Sequence, residues 1–446
     1  MGGGASVPIP PFSEIQQPLQ QPQFRTKDDE DSRLSLSQEA RLARLKGLDI
    51  FVLDNSLRET SVCQLIGHVE EDKEAILSSI QDTGIKHIIV ACFGDLKRVE
   101  DVWLTKLRDE GRIANNFYAF SEMRHAAPVN GIWSLDPIPT GLQRIKEYTI
   151  KNVVLEMDFL CRKTNWEIFG TRELCTFIQR RLEYIHKDIY VRSEVFINFR
   201  DAPSAWNNVE VRQRMIDLTV FLANLPAPIR PFGLLYEEPA GSCFPWDITG
   251  LTVTIRQAMI DSNWTDGHWL VHVHKNYALA DAVVLEALAC GCTGIWCAVT
   301  EEGAGVGHAS SLICLTNLAR LGNQHVSKRF NITKIRDAAI AVTQRCTGVP
   351  PHPKQEVYGK HSTDILWDAS GAMGGGDSFD LSKFFGIKPQ TRVTTFTTPE
   401  MFIERYSISY SSMLPTPTYT IIYMHHFFSR IFGQTHRGLW KPRILS

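Results

Sequence analysis

The 446-residue chain has 47 basic and 49 acidic residues, a formal net charge of -2, and is 43% hydrophobic, 22% charged and 10% aromatic. That balance supports one globular domain of ~250–300 residues with appendages, and it gives no electrostatic case for nucleic acid as a partner. Ten scattered cysteines without a C-x-x-C pair argue against a structural zinc knuckle, and no apolar run reaches the ~18–20 residues of a membrane span.

The chain opens M-G-G-G-A-S, which fits N-myristoylation at Gly2 with Ser6 at the favoured position. One acyl chain gives only weak, reversible membrane attachment, so the expected location is cytoplasmic, or peripheral at a membrane. Cys290, Cys292 and Cys297 in apolar surroundings read as reduced thiols and agree with the cytoplasm. Residues 1–46, rich in Pro, Gln, Gly, Ser and charge without a sustained apolar period, read as a disordered tail.

From residue 47 to 325 short β-type runs alternate with amphipathic stretches. The spacing predicts strands at Ile50–Asp54, His87–Cys92, Phe117–Ser121, Asn152–Met157, Val191–Asn198, Arg230–Tyr236, Trp269–His274 and Thr293–Cys297. Helical patterns fall between them at Asp72–Asp82, Val99–Arg108, Arg172–His186, Val209–Leu225, Pro245–Asp261 and Leu279–Cys290, with Gly84 and Gly291 where a helix should stop. Eight strands in ~250 residues is the count of a (β/α)8 TIM barrel, an α/β fold whose functional groups collect at the C-terminal ends of the strands. A doubly wound open sheet is the alternative, but its usual glycine-rich first turn is missing from D-N-S-L-R-E-T.

W-L-V-H-V-H-K-N, from Trp269 to Asn276, puts His272 and His274 on one face of a strand and Val271 and Val273 on the other. Two imidazoles about 7 Å apart on one face make half of a metal site. The plainer reading of an isolated H-x-H is a pair of hydrogen-bonded core histidines. Arg58 and Glu59 follow the first strand, where they supply a cation and a carboxylate, or else a salt-bridged pair capping a helix. Glu237 with Glu238, and Glu301 with Glu302, end later strands.

These segments resemble the DRE-TIM metallolyases, which include 2-isopropylmalate synthase, homocitrate synthase, 3-hydroxy-3-methylglutaryl-CoA lyase and the pyruvate carboxyltransferase domain. D-N-S-L-R-E-T is similar to the D-x-T-L-R-D opening, and H-V-H-K-N-Y-A-L-A-D-A to H-x-H-N-D-x-G-x-A-x-A on strand seven. Y-E-E-P-A-G-S-C-F-P (Tyr236–Pro245) is similar to D-T-x-G-x-x-x-P, and E-E-G-A-G-V-G-H-A-S (Glu301–Ser310) to the loop G-x-G-E-R-x-G-N-A. T-G-V-P-P-H-P-K-Q-E-V-Y-G (Thr347–Gly359) resembles the post-barrel segment of the synthases, so the resemblance covers roughly residues 48–365.

The resemblance implies a divalent metal (Zn, Mn or Mg) held by Glu59, His272, His274 and His308, the last standing where the family has Asn. Three nitrogens and one oxygen tilt that set toward zinc or manganese. It implies Arg58 as the catalytic arginine that assists enolisation, with Glu237, Glu238 and Lys275 as candidate general bases by position. Lys275 replaces an Asn or Asp of the family, and an ammonium there needs a carboxylate beside it, for which Glu237 and Glu238 are the candidates.

The implied activity is condensation of an α-keto acid with an acyl-CoA. A catalytically inactive barrel acting as a scaffold or binding module, and a metal-dependent carbon–carbon lyase, stay open. The lyase is disfavoured because no cysteine falls in Gly303–His308, where the family's lyases keep one. Relatives with the post-barrel segment usually dimerise, which makes a homodimer the implied assembly. Residues 326–370 read as a post-barrel helical segment and 371–446 as linker and extension. Within the extension Gly371–Gly376 is a flexible linker, Asp380–Gly386 a short helix, and Pro415–Phe432 an apolar stretch too short to span a bilayer, its His425–His426 pair read as incidental.

Overall fold

The computed structural model describes residues 37–61, 65–93, 96–123, 137–159, 170–363, 365–368, 371–373, 380–388 and 391–392. Two compact units divide the chain, Met1–Ser362 and Thr363–Ser446. The expectations for Gly2, for residues 1–36 and for Pro415–Phe432 lie outside the described residues.

In the first unit eight parallel strands close in sequence order: β1 Phe51–Asp54, β2 His87–Cys92, β3 Phe117–Glu122, β4 Asn152–Asp158, β5 Val195–Arg200, β6 Gly233–Glu238, β7 His268–Val273 and β8 Gly294–Cys297. Closure comes from β1, which pairs with both β2 and β8. A TIM barrel is thereby the fold, and the open doubly wound sheet is excluded.

Alternate residues of each strand point inward. Phe51, Leu53, Ile89, Tyr118, Phe120, Val154, Phe196, Leu235, Leu270 and Trp296 fill the barrel as one apolar cluster. Each such side chain contributes roughly 1.5–3 kcal/mol relative to exposure. Rings crowd its N-terminal end, where Phe51 sits 4.3 Å from His87 and 4.4 Å from His268 between ring centroids. The pairing of β8 with β1 is why β8 begins on glycine: Gly294 lies beside Phe51, and a Cβ there would stand 2.3 Å from the Phe51 carbonyl oxygen and 2.7 Å from Leu270 Cδ2.

Five helical expectations hold to within two residues, at Glu70–Gln81, Val99–Asp109, Thr171–Tyr184, Val209–Ala223 and Ala280–Cys290. The tail requires a correction at its end only, because the helix Gln38–Gly47 overlaps the last residues of the stretch expected to be disordered. Ser37 caps it, accepting from the Ala40 amide at 3.2 Å. Arg44 then donates to the carbonyls of Leu288, Gly291 and Cys292 at 2.8–3.1 Å, satisfying carbonyls at the buried C-terminal end of Ala280–Cys290. After β8 come helices Ser311–Arg320, Gln324–Arg329 and Ile332–Thr347, the last packed on Glu70–Gln81.

In the second unit Gly371–Met373 pairs antiparallel with Ile365–Asp368, so the first three residues of the linker expected over Gly371–Gly376 are strand, and the last three lie outside the described residues. I-L-W-D has the β-branched and aromatic content that favours a strand, and only two residues separate it from its partner. The short helix expected there is found at Leu381–Phe385, capped by Asp380. Among the described residues, no helix is long and apolar enough to cross a membrane.

Candidate metal centre

The chain leaves β1 in a tight turn, with the Arg58 and Glu59 amides both bonding to the Asn55 carbonyl at 2.9 and 2.8 Å. Ser56 donates to Asp54 at 2.9 Å and accepts from the Val299 amide at 2.9 Å, pinning the turn to the segment after β8. Below it the fully buried Lys73 ammonium pairs with Glu100 at 2.9 Å and bonds to the Leu57 carbonyl at 2.5 Å. These bonds hold Arg58 and Glu59 at the barrel mouth. Glu59 is 1% exposed; one oxygen pairs with Arg58 and the other accepts from the Ala304 amide at 3.3 Å. The Arg58 guanidinium lies 5.0 Å from the Phe120 ring centre and 5.8 Å from that of Trp296, a cation over two aromatic faces.

His272 and Leu270 share the inner face of β7, as the alternation requires. One ligand atom each from Glu59, His272 and His274 lies within 4.8 Å of the other two. Ligand atoms around one zinc ion stand ~3–4 Å apart at its bond lengths, so a slight closure suffices. His308 is not in that triad, but its ring is 5.2 Å from that of His272 between centroids. It also borders Glu59, since a Cβ on Gly303 would touch His308 Nε2 at 2.6 Å and Glu59 Cγ at 2.9 Å.

Hydrogen bonds settle the form of two of these rings. His272 Nδ1 donates to the Trp296 carbonyl at 2.8 Å and His308 Nδ1 to the Ala309 carbonyl at 3.0 Å. A neutral imidazole that donates from one nitrogen keeps a lone pair on the other. Both Nε2 atoms are buried without a hydrogen-bond partner. Burial and the neighbouring imidazoles hold the His272 pKa well below its ordinary value, and burial takes that of His308 down to about 3. Burial also lowers that of His274, which bonds to the backbone of Ala304. These are neutral, oriented donors in the form a divalent ion takes.

The other predicted residues fall into place by strand alternation. β6 runs on to Glu238 rather than ending at Tyr236, so Glu237 and Glu238 face opposite ways. Glu237 points inward, 3.8 Å from His274 Nε2, and accepts from Asn198 at 3.0 Å. Glu238 shares the outer face with Tyr236, whose hydroxyl bonds to Thr252, and it accepts from the Ser242 amide at 3.4 Å. Lys275 pairs with Glu301, not with Glu237 or Glu238: it lies beyond the end of β7, where its amide bonds to the Gly307 carbonyl at 2.8 Å.

Sequence reasoning missed the polar group beyond Glu237. Glu156 on β4 and Asn198 and Arg200 on β5 meet there, Asn198 donating to Glu156 at 3.4 Å and Arg200 to Glu156 at 3.2 Å. Burial, then the Glu237 charge, push the Glu156 carboxyl up to about 7. The signal was present: polar residues continuing the inward period of Val154 and Phe196, hidden by ending β5 at Asn198 rather than Arg200.

No protein-family model matches the chain, and no curated protein does. Solved structures do. The Bacillus subtilis HMG-CoA lyase superposes over 70% of this chain and 98% of its own, with a TM-score of 0.50 and 16% sequence identity. Hydroxymethylglutaryl-CoA lyase from Pseudomonas aeruginosa superposes over 67% of this chain and 93% of its own, with a TM-score of 0.50 and 13% identity. At such identities the likeness is one of fold, and the fold implied by the resemblance to the DRE-TIM metallolyases is the fold this chain has: a (β/α)8 barrel shared with hydroxymethylglutaryl-CoA lyases.

Proposed function

We propose that the chain is a divalent-metal-dependent enzyme that forms a carbon–carbon bond beside a carbonyl, condensing an α-keto acid with an acyl-CoA. The observation that carries this reading is the pair of buried, partnerless Nε2 lone pairs on His272 and His308, gathered with His274 and Glu59 at the barrel mouth. In an ordinary packed core such atoms find donors, because each one left bare costs ~1–3 kcal/mol.

Glu59, His272 and His274 would hold the ion, with His308 as fourth ligand, and this donor set suits zinc or manganese better than magnesium. When bound, the ion supplies Lewis acidity to the carboxylate and ketone oxygens of the keto acid. Arg58, fixed between Glu59 and the rings of Phe120 and Trp296, is placed to hold the oxygen of a developing enolate. Glu237 is the inward carboxylate of its pair and the better candidate for taking the substrate proton. The loop Gly303–His308 carries no thiol, which favours condensation over cleavage.

The test is to supply purified protein with Mn²⁺ or Zn²⁺, acetyl-CoA, and pyruvate, 2-oxoisovalerate or 2-oxoglutarate, and to measure free thiol. Release that needs both keto acid and metal, and disappears in Glu59→Gln, supports the reading. Absence of thiol release together with absence of bound metal overturns it in favour of a scaffold. Acylation at Gly2 belongs to the same proposal, and alkyne-myristate labelling that Gly2→Ala abolishes is its check.

A further inference from the structure

The segment from Glu301 to His308 touches every member of the centre. It carries His308, its Ala304 amide donates to Glu59 at 3.3 Å, and the Ala304 backbone bonds to His274. Its own shape is set by the His308 amide on the Glu301 carbonyl at 3.1 Å, the Gly307 amide on Ala304 at 3.1 Å and the Lys275 amide on Gly307 at 2.8 Å. At the head of this loop stands a 7% exposed carboxylate, Glu301. One of its oxygens pairs with the Lys275 ammonium, and the other accepts from the side-chain amide of Gln355.

Gln355 belongs to the post-barrel segment, where its amide bonds to His352 at 2.8 Å and its carbonyl accepts from Gly359 at 2.9 Å. A second anchor lies beside it. The Thr300 hydroxyl, one residue before Glu301, meets Thr343 at 2.7 Å and Tyr358 at 3.3 Å. The carboxylate that neutralises the cation next to His274 is thus held in place by a side chain eighty residues beyond Lys275.

We propose that Glu301 is the positioning residue of the metal centre: bridged between Lys275 and Gln355, it cancels the Lys275 charge and fixes the loop that presents His308. This rests on the metal reading. Without Glu301 the ammonium, one residue from a ligand and in a partly desolvated place, would repel a dication.

Metal affinity is the readout, measured by competition of Zn²⁺ and Mn²⁺ with a chromogenic chelator on the full chain. Glu301→Gln, which keeps the side-chain shape, is expected to weaken binding at least ~10-fold. Lys275→Met combined with Glu301→Gln is expected to return to within about threefold of wild type, as a cancelled charge pair requires. Gln355→Leu, outside the donor set, is expected to weaken binding severalfold while leaving the melting temperature of the metal-free protein in place. Wild-type affinity in Glu301→Gln, or a double variant as weak as Glu301→Gln alone, overturns the proposal. If wild-type protein binds neither metal, the metal reading itself has failed.

Discussion

The Nδ1–H of His272 donates to the carbonyl of Trp296 at 2.8 Å, and the two rings stack 4.2 Å apart between centroids. That bond fixes both the tautomer and the plane of the imidazole, so its free nitrogen is aimed before any ion arrives. Binding energy is then not spent on turning the ring.

Metal should therefore stabilise the fold. At a free concentration of 100 times its Kd an ion adds about 2.7 kcal/mol, which in a barrel of this size raises the melting temperature by several degrees. His272→Gln, lacking the aimed nitrogen, is expected to show no such rise, as read by differential scanning fluorimetry with and without Zn²⁺. A rise equal to that of wild type would place the ion elsewhere.

Glu237 and Glu238 are neighbours with different surroundings, and their variants should separate. Glu237→Gln removes a carboxylate beside His274 and is expected to lower kcat by ~10²–10⁴ with the melting temperature nearly unchanged. Glu238→Gln keeps an acceptor for the Ser242 amide on the outer face, and its kcat should stay within a few-fold of wild type. Steady-state kinetics of the two variants decide it.

The contrast between these two glutamates also marks how far the sequence could be read. H-x-H on a strand places both imidazoles on one side whatever the rest of the chain does, and Arg58 and Glu59 follow a buried strand in plain view. Strand ends are another matter: a two-residue error in β6 hid which glutamate faces in, and the same error in β5 hid Arg200. The helix Gln38–Gly47 escaped because Leu42 and Leu45 are its only large apolar residues. Its hold comes instead from Arg41 and Arg44 on groups some 245 residues away, Glu286 and the end of Ala280–Cys290. Long-range pairings of that kind, with Lys275 and Glu301 among them, leave no local period to detect.

Two glycines in one loop offer a sharper contrast. Gly307 has φ +98° and a Cβ there would stand 1.9 Å from the Glu301 carbonyl oxygen, so Gly307→Ala must open the turn that presents His308. The expected cost is on the order of 1–3 kcal/mol, with metal affinity lost alongside. Gly305 has φ +68° but open space, the nearest atom being Asn276 Oδ1 at 3.5 Å. Gly305→Ala is expected to cost no more than ~1–2 kcal/mol and to keep its affinity. Chemical denaturation and the chelator competition, run on both variants, test the difference.

Acid should weaken the barrel through buried histidines outside the candidate metal centre. His87 and His268 flank Phe51 at the N-terminal end of the strands, and His68 lies against Cys346. Burial, reinforced by nearby cations, lowers all three to about 4 from the usual 6.5. Between these values the unfolded chain binds protons that the folded chain refuses, so stability rises with pH across the window and is lost as pH falls from about 6.5 toward 4. His268→Gln removes one of these groups, and the fall in melting temperature from pH 7 to pH 4.5 is expected to be shallower than in wild type. An unchanged slope would mean that carboxylates, not this ring, set the acid limit. The comparison belongs in metal-free protein, since protons compete with an ion for His272, His274 and His308 over the same range.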